Sequence, residues 1–260
     1  MKAISIGKFE EGLINEDAVI AKDCLIAVSD GAGGGGLFAD CWSRYLVEHL
    51  PDEPITDYQA FDNWLDGIWE PFYNECEVKA QKEGGMLLNK FYDECSFATI
   101  AVAWKSGEWV SYGDSVVFCY DKETGNLQHS FTKLVDFNNP PYLINCKDPT
   151  DEKGFRYGHF NISRESVVFV TSDALAHYIL MMYEVTHKDE FGQALQEGID
   201  AKTKNSNFIK TAMSLNKLDF EKDVLDKLMN CNNTVNFFRH LQCLRRKELI
   251  GHDDYSIAVL

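Results

Sequence analysis

The sequence predicts an α+β fold in which antiparallel strands are packed by helices. Three observations predict it. Helical periodicity occupies 37–50 and 58–82, a long helical stretch fills 188–248, and strands lie between them and at the C-terminus, so the strand–helix alternation of a parallel sheet is missing. "CLIAVSD" (24–30) and "SVVFVTSD" (166–173) are continuous apolar runs, the mark of strands buried on both faces. Each run ends in Ser-Asp, a small residue and a helix, which puts each Asp at the C-terminal mouth of a central strand.

Residues 2–7 read as a short strand ahead of the buried one at 24–30. Over 37–50, Leu37, Cys41 and Tyr45 form one row at helical spacing, with Phe38, Trp42 and Leu46 beside it. Over 58–82, Phe61, Leu65, Ile68, Phe72 and Cys76 recur every three or four positions, and Pro71 is expected to kink or divide this helix. "SFATIAVAW" (96–104), "EWVSYGDS" (108–115) and "VVFCYDKETGNL" (116–127) read as strands, with turns at Lys105-Ser106-Gly107 and Glu123-Thr124-Gly125. Residues 136–163, with Pro140, Pro141 and Pro149, read as loop with short strands. An apolar helix starts at 174–183, amphipathic segments follow near 208–228 and 233–247, and "DDYSIAVL" (253–260) closes the chain as a strand. No linker or low-complexity segment interrupts 1–260, which therefore reads as one domain. Within it the 188–248 block reads as core cover, with a regulatory or substrate-docking subdomain as the sharper alternative.

The 260 residues are 45% apolar, enough for a sizeable core. No apolar run approaches the ~18 residues of a membrane span. The N-terminal "MKAISIGKFEEGLINED" reaches acidic residues too soon for a signal peptide. A net charge of −16 argues against nucleic acid and anionic membranes as partners. The eight cysteines are scattered, with no C-x-x-C, so a reduced cytoplasmic chain is expected.

In "AVSDGAGGGGLFADCW" (27–42), Gly31, Gly33 and Gly36 spell G-x-G-x-x-G. A dinucleotide loop also needs a second strand carrying an acidic residue, whereas 51–82 is turn followed by helix. Asp30 abuts the first glycine, where its bare carboxylate would repel a pyrophosphate. G-K-[ST], H-E-x-x-H, a C-x-x-C pair, G-x-S-x-G and a D-x-D at Asp30 are all absent. What stands out instead is a set of carboxylates at strand ends: Glu16 and Asp17, Asp30, Asp114, Asp173, and Asp253 with Asp254. Singly these are ordinary helix caps, turns or solvated charges. Together they are the hard oxygen donors that Mg²⁺ and Mn²⁺ prefer, and two such ions sharing a carboxylate turn water into a nucleophile.

The order of these motifs resembles the metal-dependent Ser/Thr phosphatases of type 2C (the PPM family), especially the compact bacterial kind. The resemblance runs through "NEDA" (15–18), "VSDGAGG" (28–34), "SFATIAVA" (96–103), "SYGDSVVFCY" (111–120), "VVFVTSDAL" (167–175) and "DDYSIAVL" (253–260). It implies a four-layer α/β/β/α sandwich, two antiparallel sheets flanked by helical pairs. It also implies two Mn²⁺ or Mg²⁺ ions in a cleft at one end of the sandwich. Asp30 would bridge both ions, Asp173 and Asp253 would hold one, and Glu16 and the Gly31 carbonyl would face the other. Asp17 would be a ligand or its neighbour, and Asp114 with Asp173 would take a third, weaker ion. Asp30, Asp173 and Asp253 would thus carry catalysis: hydrolysis of phosphoserine and phosphothreonine by a bridging water. The implied partners are a phosphoprotein substrate and a cognate Ser/Thr kinase, with the chain acting as a monomer.

The chain departs from the family pattern in four places. Gly12 stands where many members carry a phosphate-gripping Arg, and Ala32 where many carry a general-acid His. "SDA" replaces "SDG", and Asp254 replaces the usual Asn. Lys8 is one substitute for the phosphate grip. Arg245, Arg246 and Lys247 are another, though as a helix C-terminal cluster they read first as caps. Gly12 and Ala32 also motivate a rival reading, a catalytically weakened phosphatase fold that binds a phosphoprotein or kinase. A metallophosphoesterase for small molecules would share the site and differ in substrate.

Overall fold

The computed structural model describes residues 1–10, 12–34 and 36–260. One sheet has the order β1 (Lys2–Ile6), β12 (Tyr255–Val259), β11 (Ser166–Thr171), β7 (Val116–Asp121) and β8 (Asn126–His129). The other runs β10 (Phe155–His159), β6 (Glu108–Tyr112), β5 (Ile100–Trp104), β3 (Leu25–Ser29) and β2 (Ala18–Ala21). All neighbours within both sheets are antiparallel. A short pair, β4 (Phe97–Ala98) with β9 (Ile144–Asn145), lies outside them.

The two-residue side-chain period of a strand explains the layering. Ile26, Val28, Ala101 and Ala103 of one sheet meet Val117, Cys119, Val168, Val170 and Ala258 of the other in the central core. The alternate residues Leu25, Ala27, Ile100 and Val102 point the opposite way, toward α1 (Ala39–Glu48), α2 (Tyr58–Glu83) and α3 (Gly85–Glu94). On the far side Phe118, Phe169 and Ile257 meet α4 (Asp173–Thr186), α5 (Lys188–Asp200), α6 (Lys204–Met213), α7 (Asp226–Met229) and α8 (Thr234–Arg246). The result is the expected α/β/β/α sandwich. Among the described residues, no helix is long and apolar enough to cross a membrane.

Register gathers the strand ends at one end of the sandwich. Ser29 pairs with Ala18, Ile100 with Tyr112, Val116 with Thr171, Thr171 with Ile257, and Ile6 with Tyr255. The residues just beyond these pairs are Asp17, Asp30, Asp114, Asp173 and Asp253–Asp254.

Several expectations are corrected. Pro71 does not divide its helix: α2 is one helix of 26 residues. Pro71 and Gly67, whose carbonyl loses its partner, are both exposed, so water can take that carbonyl. Gly84, at φ 64°, ends α2 in a turn that restarts as α3, a helix the periodicity did not reveal. The amphipathic segment near 208–228 is broken into α6, a π-helical turn at Glu221–Leu225 and α7. The expectation of fully reduced cysteines also fails for one pair. Pairing of β4 with β9 brings Cys95 and Cys146 together as a disulfide, with Cα atoms 6.3 Å apart across a sequence separation of 51.

Candidate metal centre

Asp30 follows the buried strand β3 and is fixed by Thr99. The Asp30 carbonyl accepts from Thr99 N–H at 2.8 Å, and Ser29 Oγ donates to the Thr99 carbonyl at 2.6 Å. Thr99 Oγ1 in turn lies 2.7 Å from Ser115 Oγ, which ties the Asp30 turn to the turn that carries Asp114. Asp173 opens the first turn of α4, where its Oδ1 accepts from Ala174 N–H. Asp17 enters β2 with its N–H on Asn15 Oδ1. The structure therefore brings Asp17, Asp30, Asp114, Asp173 and Asp253 from five separate segments to one cleft.

Their electrostatics show the crowding. Burial raises the Asp30 carboxyl well above the usual range, and Asp17, Asp173, Asp114 and Asp253 raise it further. Asp173 is raised likewise, by burial first and then by Asp114, Asp253 and Asp17. Burial pushes Asp17 up to about 7, with Asp254 and Asp253 adding to the rise while the Ser256 and Ser172 hydroxyls oppose it. Of those hydroxyls, Ser256 Oγ donates to Ser5 Oγ, while Ser172 Oγ accepts from Ser256 N–H and keeps its own proton. Both Asp17 carboxylate oxygens are buried without a hydrogen-bond partner among the described residues. Asp114 stands at about 6, raised by burial and Asp253 and held back by its own N–H and by Arg156.

Glu16 approaches from the neighbouring loop. Its carbonyl accepts from Gly31 N–H at 3.1 Å and from Ser43 Oγ at 2.5 Å, and its carboxylate lies so close to the Gly33 backbone that a Cβ there would overlap Oε1. A side chain at 33 would therefore push the Glu16 carboxylate out of this position. The Gly31 carbonyl accepts from Gly33 N–H at 3.2 Å and keeps one lone pair free. Lys8 Nζ sits 3.1 Å from Asp253 Oδ1 and 3.7 Å from Glu16 Oε2. Burial opposes its charge, but Asp253, Asp254 and Glu16 outweigh burial and hold its pKa above the ordinary value.

Asp254 plays a different part from its neighbour. It is 3% exposed, and its two oxygens accept from Lys8 N–H at 2.6 Å and Glu16 N–H at 2.8 Å. It staples the 8–16 loop to the start of β12. No sequence pattern signals this, because both partners are backbone groups nearly the whole chain away. Arg156 was also missed: it donates to the Gly113 carbonyl at 3.1 Å, stacks 5.3 Å over Phe131 and stands beside Asp114. Arg245 lies over the Phe9 ring at 5.0 Å, and among the described residues none of Arg245, Arg246 and Lys247 pairs with a carboxylate of the cleft.

Among the described residues, no three acidic, His or Cys side chains close to metal-ligand geometry. The donor chemistry fits divalent cations all the same. It consists of hard oxygens, two of them buried without partners, on carboxylates that repel one another until a cation neutralises them.

No family model matches the chain, and no curated protein matches it in sequence. Solved structures do. The catalytic domain of the serine threonine protein phosphatase PstP in complex with 2 manganese ions matches with a TM-score of 0.53 at 15% identity, over 99% of this chain and 95% of that one. The Mycobacterium tuberculosis serine/threonine phosphatase PstP/Ppp matches with a TM-score of 0.55 at 16% identity, over 99% and 96% of the two chains. Likeness at this identity is likeness of fold, and it spans both sheets and both helical layers. The chain has the fold of the PPM-type Ser/Thr phosphatases.

Proposed function

We propose that this chain is a Mn²⁺- or Mg²⁺-dependent phosphatase that hydrolyses phosphoserine and phosphothreonine in proteins. The observation that carries the proposal is the convergence of Asp17, Asp30, Asp114, Asp173 and Asp253 on one cleft, in the fold that PstP uses with manganese. Asp30 would hold both ions, Asp173 and Asp253 one, and Glu16 with the Gly31 carbonyl the other. Asp17 would stand at or beside the ligands, and Asp114 with Asp173 would serve a third, weaker ion. When bound, the cations supply an activated water and neutralise charge on the phosphate. The chain's own residues fix the donors. Thr99 holds Asp30, Asp254 anchors the loop carrying Glu16, and Gly33 leaves room for the Glu16 carboxylate. A phosphoprotein is then the substrate, and its Ser/Thr kinase the opposing activity.

The test is hydrolysis of an aryl phosphate. Purified protein should act with Mn²⁺ and lose activity to a chelator, and Asp30→Asn should lower kcat at least ~100-fold. Equal rates in the wild type and this variant would end the catalytic reading. One observation favours the rival, a binding module without metal: the Lys8 ammonium lies between Glu16 and Asp253, where it can stand in for a cation. Calorimetry separates the two, because a pure binding module need not take up two divalent ions.

A further inference from the structure

A pocket of about 150 Å³ opens beside the carboxylate cleft. Asp173 and Asp253 form one wall, and His177, Lys204, Asn205 and His252 form the others. His177 lies one helical turn after Asp173, so both project from one face of α4. Its ring is 5% exposed and meets Phe137 and Phe208 edge-on, with centroids 5.4 and 6.2 Å away. Its Nε2 is buried without a hydrogen-bond partner among the described residues, an unusual state for an interior polar atom.

The far wall is built from donors. Lys204 starts α6 and is exposed, with no carboxylate partner among the described residues. The first turn of α6 reaches the pocket through Lys204 and Asn205, so the N-terminus of α6 faces it, whereas the Ala174 N–H at the start of α4 is already taken by Asp173 Oδ1. His252 stands there too, paired with Glu10 at 3.2 Å. In a chain of net charge −16 such a wall is not a by-product of a basic surface.

Resting on the phosphatase reading, we propose that this pocket binds a second oxyanion of the substrate, flanking the phosphorylated residue. Asp173 and Asp253 serve the scissile group, and Lys204, the α6 N-terminus and His177, as the tautomer with its proton on Nε2, take the neighbouring acid. A flanking Asp or Glu carboxylate and a second phosphate share this chemistry. The substrates are therefore acidic or multiply phosphorylated segments, selected in spite of the protein's own negative field.

Three phosphothreonine peptides test this, with neutral flanks, with Asp flanks and with a second phosphate nearby. With Mn²⁺, wild type should favour at least one acidic peptide by about fivefold in kcat/KM, carried by KM, and the larger gain names the source of the oxyanion. Lys204→Glu should bring that ratio to about one or below, and His177→Asn should reduce it. Lys82→Glu on α2 changes net charge equally and should keep the ratio. A wild type without acidic preference, or a preference untouched by Lys204→Glu, overturns the inference while leaving metal-dependent hydrolysis intact. If no peptide is hydrolysed, the phosphatase reading fails, and fluorescence anisotropy decides the pocket separately. Tighter, Lys204-dependent binding of an acidic peptide upholds it, and equal binding of all three peptides overturns it.

Discussion

Two buried carboxylates show how environment decides what the same chemical group does. Asp254 is buried but satisfied, because two backbone N–H groups donate to it. Glu184, near the end of the apolar α4, is 3% exposed and its Oε2 has no partner among the described residues. Burial pushes its carboxyl up to about 7. The unfolded chain releases that proton near pH 4.5, so between about 4.5 and 7 the folded state binds more protons than the unfolded one. Stability from this group is therefore full below about pH 4.5 and lost as pH rises to about 7. The loss across this window is about 3 kcal/mol, because each tenfold difference in proton affinity is worth roughly 1.4 kcal/mol. Glu184→Gln should remove this group's share of the slope, leave the share of the raised cleft aspartates, and stabilise the protein above pH 7. Urea unfolding at pH 5 and pH 8 checks this: parallel losses in wild type and variant would show that Glu184 does not titrate with folding.

At the scale of elements, α2 carries the clearest conflict between local rule and structure. Pro71 removes one N–H from the helix interior, yet the helix continues because the site is exposed and solvated. Pro71→Ala should restore the bond to the Gly67 carbonyl and stabilise the protein by about 1–3 kcal/mol. Thermal unfolding should then show a higher midpoint, and an unchanged or lower one would mean that the proline sets a bend the packing needs. Elements whose signal lies within one short window were legible in the sequence. The apolar runs of β3, β11 and β12 announced buried strands, and the rows on α1 and α2 announced helices. Elements defined by partners were less legible. β2 carries no strand reading, the single strand read at 96–104 is divided into β4 and β5, and the two residues of β9 had no bounds of their own; pairing with distant segments sets their conformation. The same division runs through the site. Its aspartates were visible because each sits at the edge of an apolar strand, whereas Arg156, Thr99 and the Asp254 staple depend on tertiary neighbours.

Charge is the property of the whole molecule that ties stability to the proposed chemistry. The chain carries 41 acidic against 25 basic residues, and the fold concentrates part of that excess at one end of the sandwich. Inside the cleft only Lys8 and Arg156 oppose it among the described residues, and both reach carboxylates at the edge of the group. Asp30, at the centre, interacts with four other aspartates. Without metal this arrangement costs stability, since each carboxylate raises the pKa of the next and disfavours the compact state. On the proposed reading, divalent cations would bind the folded arrangement and not the dispersed aspartates of the unfolded chain, so they should raise the unfolding midpoint. At a free Mn²⁺ concentration of 100 times Kd the gain is about 2.7 kcal/mol. Asp30→Asn should split the two effects: the metal-free variant should melt above metal-free wild type, and its response to Mn²⁺ should shrink. Calorimetric melting of both proteins with Mn²⁺ and with chelator measures all four states. A variant less stable than wild type without metal would show that Asp30 holds the fold together, and an equal Mn²⁺ response in both would place the cation elsewhere. The opposite signs expected here are those of a site whose repulsion is tolerated for what it binds.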